Sequence, residues 1–330
     1  MSAPRVGVIG AGSLGYHHVR LLREMPEVEF AGFYDIDATR ASAVQRELGA
    51  SASPSLGALL DRVDAVTVVV PTPAHHAVAK QALARGVHVL IEKPITTTLD
   101  EADDLLATAR ATNALVQTGH VERFNRAIRA ALPYIAEPRF VESNRLAPFN
   151  PRGSDVAVVL DLMIHDIDLV RTLVGGHVTE LAASGVGVLT PSVDIANARL
   201  GFDTGAVANI TASRVSRDRF RKLRIFQRSG YLSLDLAQGT GEFYRLRGDL
   251  DMTALAAAPR KLEDFMERVP LDAPDGEPLR LELESFVAAV QGKQPVLVSG
   301  DDGRQALALA LRIMHEIERS LPVLAGSPGA

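Results

Sequence analysis

Over the first 120 residues, short apolar runs alternate with stretches of helical period. The runs fall at 5–10, 28–35, 64–70, 87–92 and 114–119. Runs this short and rich in β-branched residues read as strands buried on both faces, and their alternation with helices predicts a parallel, doubly wound sheet. Asp37 stands where it can cap the second helix, and Thr98 with Glu101 spells a capping box for the fourth. After residue 138 the pattern changes. A strand is expected at 139–146 and a helix with almost no polar interruption at 156–174. Further strands are expected at 178–188, 194–202, 205–213, 219–228, 230–236 and 241–246. Strands so closely spaced, with no helices between them, imply an antiparallel sheet. Helical patterns return at 279–291 and 302–319, the latter capped by Ser299 or Asp301, and the proline-rich 268–278 reads as a loop. The expected fold class is α/β, in two domains, 1–120 and 121–330.

The first strand, Val6-Gly7-Val8-Ile9, runs into Gly10, Gly12 and Gly15, spaced G-x-G-x-x-G, and a helical pattern follows. Strand, glycine turn and helix in this order form the dinucleotide fingerprint of a Rossmann domain. Gly10 permits the tight turn, Gly12 lets the backbone approach a pyrophosphate, and Gly15 lets helix and strand pack closely. The anion would sit on free N–H groups at the helix start, at Ser13 and Leu14, where the macrodipole is positive. The second strand ends at Asp35, about twenty residues past the last glycine, the place of the acid that binds the adenosine ribose. Ile36 follows it, with no arginine directly after to welcome a 2′-phosphate, so NAD is favoured; Thr39 and Arg40 leave NADP as the alternative.

Ligands of such sheets gather beyond the carboxyl ends of the strands. The third strand ends in Val70-Pro71-Thr72-Pro73, where the Thr72 hydroxyl can face the cofactor, and His75 opens the next helix as a candidate phosphate contact. His76 points about 100° away from it on a helix, which argues against a metal pair; two solvated histidines are the plainer alternative. The fourth strand ends in Glu92-Lys93-Pro94. A charged pair at the mouth of a buried strand is costly unless it is used or paired. Pro94 holds Lys93 extended, aimed in this reading at the nicotinamide end of the cofactor.

Composition narrows the classes. A net charge of −5 argues against a general nucleic-acid or anionic-membrane binder. The absence of cysteine excludes disulfides, thiolate nucleophiles and cysteine-ligated metals. Runs such as 65–70 are too short to span a bilayer, and the first strand starts too early to leave room for a signal peptide, so the cytoplasm is the expected location.

The apolar stretch 156–174 carries Asp161, His165, Asp166 and Asp168. Asp161 and His165 are four apart and share a helix face. Histidine titrates near neutral pH and can accept a proton there. Asp161 or Asp168 would orient the imidazole. No third ligand at helical spacing completes a metal set, so no metal is expected. Farther on, Arg214, Arg217, Arg219, Arg221, Lys222, Arg224 and Arg228 crowd one strand region against Asp218 alone. In an acidic chain this suggests an anionic ligand or a subunit contact.

Together the glycine fingerprint, Asp35, the Pro-Thr-Pro turn and Glu92-Lys93-Pro94 resemble the glucose–fructose oxidoreductase, inositol dehydrogenase and rhizopine-catabolism (Gfo/Idh/MocA) family. Asp161-Leu162-Met163-Ile164-His165 is similar to its Asp-x-x-x-His helix. The resemblance implies a Rossmann domain followed by an α/β domain on a large, mostly antiparallel open sheet. It implies Lys93, Asp161 and His165 as the catalytic set, and contacts near the nicotinamide from Arg123 and Asn125 in Gly119-His120-Val121-Glu122-Arg123-Phe124-Asn125. That motif, with 158–168, 194–199 and 211–214, further resembles a bacterial subgroup that includes UDP-N-acetylglucosamine 3-dehydrogenases. It implies oxidation of a sugar or nucleotide sugar; Arg145, Arg214 or a neighbour would meet a pyrophosphate, beside Lys93, Asp161 and His165. A polyol dehydrogenase and a catalytically silent cofactor-binding regulator are the alternatives, and the open sheet face predicts a homodimer or homotetramer.

Overall fold

The computed structural model describes residues 3–150, 156–248 and 261–320. The chain divides into two units, 1–124 with 276–308, and 125–275 with 309–330. In the first, β1 (Arg5–Ile9), α1 (Ser13–Glu24), β2 (Glu29–Tyr34), α2 (Ala38–Leu48), α3 (Leu56–Leu60), β3 (Ala65–Val68), α4 (Thr72–Leu83), β4 (His88–Glu92), α5 (Leu99–Thr112) and β5 (Val116–Gly119) follow in order. The strands lie parallel in the order β2-β1-β3-β4-β5. Strand direction therefore reverses its lateral progress between β1 and β3, where open α/β sheets bind ligands. Asp37 accepts from the amides of Thr39 and Arg40, and Thr98 and Glu101 close the expected capping box.

In the second unit, α6 (Arg126–Ala131), β6 (Phe140–Leu146), α7 (Ile164–Val174), β7 (Val178–Val186), β8 (Ile195–Phe202), β9 (Val207–Ser213), β10 (Phe220–Gln227), β11 (Gly230–Asp235), β12 (Thr240–Leu246) and β13 (Met266–Leu271) build an eight-stranded sheet. Its order is β13-β12-β11-β10-β6-β9-β8-β7, antiparallel except for the β6–β9 pair. Alternation sorts its faces: Val141, Leu200, Ile210, Leu223 and Ile225 are buried, on the side where α7 packs against β6 and β9. The opposite face is open. On it Phe140, Phe226, Tyr231 and Tyr244 form a row with successive ring centroids 5.7, 5.4 and 4.7 Å apart.

Three features depart from the linear reading. Residues 266–271, inside or beside the stretch read as a loop, form the edge strand β13, which tolerates Pro270 because an edge strand can leave one side unpaired. The helix expected from 156 is an α-helix only from Ile164; a wide π-type turn covers Val159–Met163. Lastly, α8 (Pro278–Val290) belongs to the first unit rather than to the second domain, because its Leu283, Phe286 and Val287 join the core of Val19, Leu22, Phe33 and Leu90. The last helix, α9 (Gly300–Ser320), begins in the first unit and ends in the second.

Candidate active site

The cofactor end of the first unit is shaped by its glycines. Gly10 has φ +90°, and a Cβ there would lie 2.4 Å from the Val69 carbonyl oxygen. At Gly15 a Cβ would lie 2.0 Å from the Gly10 carbonyl oxygen, so α1 can approach β1 only without one. Gly12 differs: a Cβ would meet nothing within 4 Å. Gly12 is the N-cap of α1, and no side chain caps that helix start. Beside it lies a cavity of about 340 Å³ lined by Gly10 and Gly12, by Tyr34, Asp35 and Ile36 after β2, and by Val69, Val70 and Pro71 after β3. Asp35 accepts from the Ala11 amide at 2.6 Å and the Asp37 amide at 2.8 Å, which fixes its carboxylate at the cavity wall. Arg40 donates to the Ala11 and Gly12 carbonyls at 2.6 and 3.2 Å, clasping the turn. A dinucleotide fits this donor set: amides at a helix start for the pyrophosphate, an acid for ribose hydroxyls.

The Glu92-Lys93-Pro94 turn closes β4. Lys93 is half-buried, whereas Glu92 and Pro94 are buried. The Glu92 carboxylate turns inward, 3.3 Å from Nε2 of the fully buried His18 and packed where a Cβ on Gly119 would stand. The carboxylate is thus packed behind the turn. His75, expected near a phosphate, is engaged by backbone carbonyls. Its Nδ1 lies 2.9 Å from the Pro94 carbonyl oxygen and its Nε2 2.8 Å from that of Val70, so no ring nitrogen is left for a phosphate. Burial pushes its pKa down, against the pull of those carbonyls and of Glu92. His75 thus meets the Pro94 carbonyl, and His18 lies beside the Glu92 carboxylate. Thr72 is half-buried at the first position of α4. Arg123 pairs with Asp302 at 3.4 Å and reaches the Leu297 carbonyl, and Asn125 caps α6 while donating to the Leu236 carbonyl at 2.8 Å. Each is thus held by partners within its own unit.

In the second unit Asp161 sits in the π-type turn and His165 in the first turn of α7. A π turn holds more than four residues, so it keeps positions four apart nearly in line, and such turns recur at functional sites. Asp161 lines a cavity of about 180 Å³ with Leu146, Ala147, Pro148, Asn150, Leu162 and four arginines, Arg145, Arg214, Arg219 and Arg221. Two of the four are answered from behind. Arg145 is buried with Nε 2.6 Å from Asp166, which also accepts from Ser143. Arg214 is buried 3.4 Å from Asp194 and donates to the Val156 and Val193 carbonyls. Asp168 is buried in the α7 core. Arg219 and Arg221 were legible only as part of a basic crowd; their spacing of two, which sends both side chains to one face, is the signal that singles them out. Among the described residues no group of three histidine or acidic side chains is placed to hold a metal ion.

Fold and cofactor end define an oxidoreductase with an NAD-binding Rossmann unit. The family model described as an oxidoreductase family with an NAD-binding Rossmann fold matches residues 4–120, and the GFO/IDH/MocA C-terminal domain matches residues 134–233. The chain belongs to the Gfo/Idh/MocA family. It is 38% identical to the UDP-N-acetylglucosamine 3-dehydrogenase of Acidithiobacillus ferrooxidans, over 96% of this chain and 98% of that one. The solved structure of that enzyme superposes with a TM-score of 0.87, covering 97% of this chain and 99% of the other. The myo-inositol 2-dehydrogenase of Thermotoga maritima is 26% identical over 97% of this chain and 98% of its own length. Levoglucosan dehydrogenase, solved with NADH and levoglucosan, shares the fold at 17% identity and a TM-score of 0.82, covering 96% of this chain and 97% of its own.

Proposed function

We propose that this enzyme oxidises a secondary hydroxyl of a nucleotide sugar, UDP-N-acetylglucosamine at C3, with NAD as cofactor. The observation that carries the reading is the end-to-end likeness to the Acidithiobacillus enzyme, together with Lys93, Asp161 and His165 at the positions of the family pattern. NAD supplies the hydride-accepting ring. Gly10, Gly12, Ser13 and Leu14 hold its pyrophosphate, and Asp35 its adenosine ribose. The chain's own groups handle the oxygen and its proton. His165 accepts the hydroxyl proton, Asp161 orients the imidazole and stabilises its charged form, and Lys93 donates to the substrate oxygen as negative charge develops on it. Residues 1–120 hold the cofactor and 121–275 the substrate. The open sheet face with its aromatic row supports a homodimer or homotetramer, which light scattering would report. No helix among the described residues is long and apolar enough to cross a membrane, and we place the enzyme in the cytoplasm.

The test is NADH formation with UDP-N-acetylglucosamine, myo-inositol and glucose in turn. Turnover of the nucleotide sugar is expected; turnover of the free polyols alone would overturn the substrate assignment. His165→Ala is expected to lower kcat by about 10²–10⁴-fold with NAD affinity retained, and an unchanged kcat would remove His165 from the mechanism.

A further inference from the structure

We infer that Arg40 is a positioning residue of the cofactor site: it holds the peptide planes of the glycine turn so that the Gly12 and Ser13 amides face the pyrophosphate of NAD. This concerns the cofactor alone, whichever sugar is oxidised. Arg40 lies in the first turn of α2, whose start Asp37 caps by accepting the Thr39 and Arg40 amides at 2.9 and 3.2 Å. From there its side chain crosses to the glycine turn. Nε donates to the Ala11 carbonyl at 2.6 Å and Nη2 to the Gly12 carbonyl at 3.2 Å. The guanidinium carbon lies 5.8 Å from the centre of the Tyr16 ring on α1, within the reach of a cation–π contact. Asp35 takes hold of the same residue from its other end, accepting the Ala11 amide at 2.6 Å. Ala11 is thus fixed at its N–H by Asp35 and at its C=O by Arg40.

Peptide planarity carries this grip to the ligand side. In a trans peptide the C=O of one residue and the N–H of the next point in opposite directions. With the Ala11 and Gly12 carbonyls drawn toward Arg40, the Gly12 and Ser13 amides point to the side away from it. They stand at the start of α1, where the Gly12 carbonyl also accepts the Tyr16 amide at 3.0 Å and no side chain caps the helix. Amides at a helix start have no partner within the helix and favour an anion. A Cβ on Gly12 would meet nothing within 4 Å, so the turn has open space beside it. Glycine is also the residue least able to keep its own peptides oriented, since it takes either sign of φ readily. A rotated peptide would turn a carbonyl oxygen toward the pyrophosphate, and Arg40 prevents this from behind. In the sequence Arg40 reads as a candidate for a 2′-phosphate. With Nε and Nη2 both on the turn, its task lies at the pyrophosphate end instead.

The experiment measures dissociation constants for NADH and NADPH by their fluorescence, and for ADP-ribose and adenosine by displacement of NADH. No sugar is present, so the outcome is independent of the substrate assignment above. It uses the full chain and its Arg40→Met and Arg40→Lys variants, with Arg46→Gln, exposed on the same helix, as the control for lost charge. In Arg40→Met the constants for NADH, NADPH and ADP-ribose are expected to rise together by about tenfold, while that for adenosine, which carries no phosphate, stays within about twofold. Arg40→Lys keeps the charge but lacks the planar fork that spans two carbonyls. It should weaken ADP-ribose by a smaller factor and leave adenosine alone, and it carries the test should Arg40→Met fail to fold. Arg46→Gln should match the wild type. Equal weakening of ADP-ribose and adenosine would make Arg40 a general support of the fold and overturn the inference. A loss confined to NADPH would do the same by placing Arg40 at a 2′-phosphate. Wild-type binding of ADP-ribose by Arg40→Lys would overturn it too, since charge without held peptides would then suffice.

Discussion

Two glycines three positions apart do different work. Gly15 has no room for a methyl group against the Gly10 carbonyl, whereas Gly12 faces open space. Gly15→Ala is therefore expected to cost about 1–3 kcal/mol of stability, the usual range for overpacking, read as a lower urea midpoint. Gly12→Ala should stay within about 0.5 kcal/mol of wild type, as for other uncrowded sites. Its NAD dissociation constant should nevertheless rise about tenfold or more, since the added methyl stands where the backbone approaches a pyrophosphate. Equal loss of stability in both variants would mean that Gly12 serves the fold instead of the ligand. The sequence pattern assigns these roles because strand, turn and helix are contiguous. His75 shows the opposite case. Nothing near it in sequence foretells that its Nδ1 meets the Pro94 carbonyl, nineteen residues on, so a histidine at a helix start reads as a phosphate ligand when its partners are carbonyls.

Elements declare themselves where their cause is local. The Asp37 cap, the Thr98–Glu101 capping box, the glycine turn and the alternation of β6, β8 and β9 were all legible, whereas β13 was hidden by Pro270 and became a strand only through pairing with β12. The loop between β7 and β8 illustrates a cause that sequence conceals. Asp194 is fully buried and accepts from the amides of Val188, Leu189 and Thr190 at 2.8, 2.7 and 2.9 Å, and from the Thr190 hydroxyl at 2.8 Å. Burial alone would raise its pKa, but these donors outweigh it and bring the value down to about 2. A carboxylate held below its unfolded pKa of about 3.9 stabilises the fold fully above that pH and loses the contribution as pH falls toward the folded value. Asp194→Asn should cost on the order of 2 kcal/mol at neutral pH, as hydrogen bonds to a charged acceptor do. It should also remove the carboxylate charge that faces Arg214 at the cavity wall. Urea unfolding should show the gap between wild type and variant closing as the pH drops from about 5 toward about 2. A gap independent of pH would mean that shape, and not charge, holds this loop.

At the scale of the molecule, the two units should answer acid differently. Two histidines held below their ordinary pKa, His75 and His88, lie in the first unit. His75 is pushed down by burial, and so is His88, against the attraction of Asp64, while His88 Nδ1 accepts the Leu115 amide at 2.9 Å. In the unfolded chain these rings take up a proton near their ordinary value of about 6.5, which the folded unit resists, so stability falls as the pH drops through that value. In the second unit the carboxylates of Asp194, Asp235, Glu242 and Glu267 are held below their ordinary pKa. Their contribution persists until the pH approaches about 4. The membership of α8 in the first unit, invisible in a linear reading because it depends on which apolar face Phe286 meets, places that helix in the acid-sensitive half as well. Amide exchange, corrected for intrinsic rates, is expected to show protection in β1, β3, β4 and α8 falling between about pH 7.5 and pH 5.5, while β8, β9 and β10 hold theirs. His88→Gln, whose side-chain oxygen can still accept the Leu115 amide, should remove part of that loss. Equal loss of protection in both sheets would locate the acid-sensitive groups elsewhere than at His75 and His88.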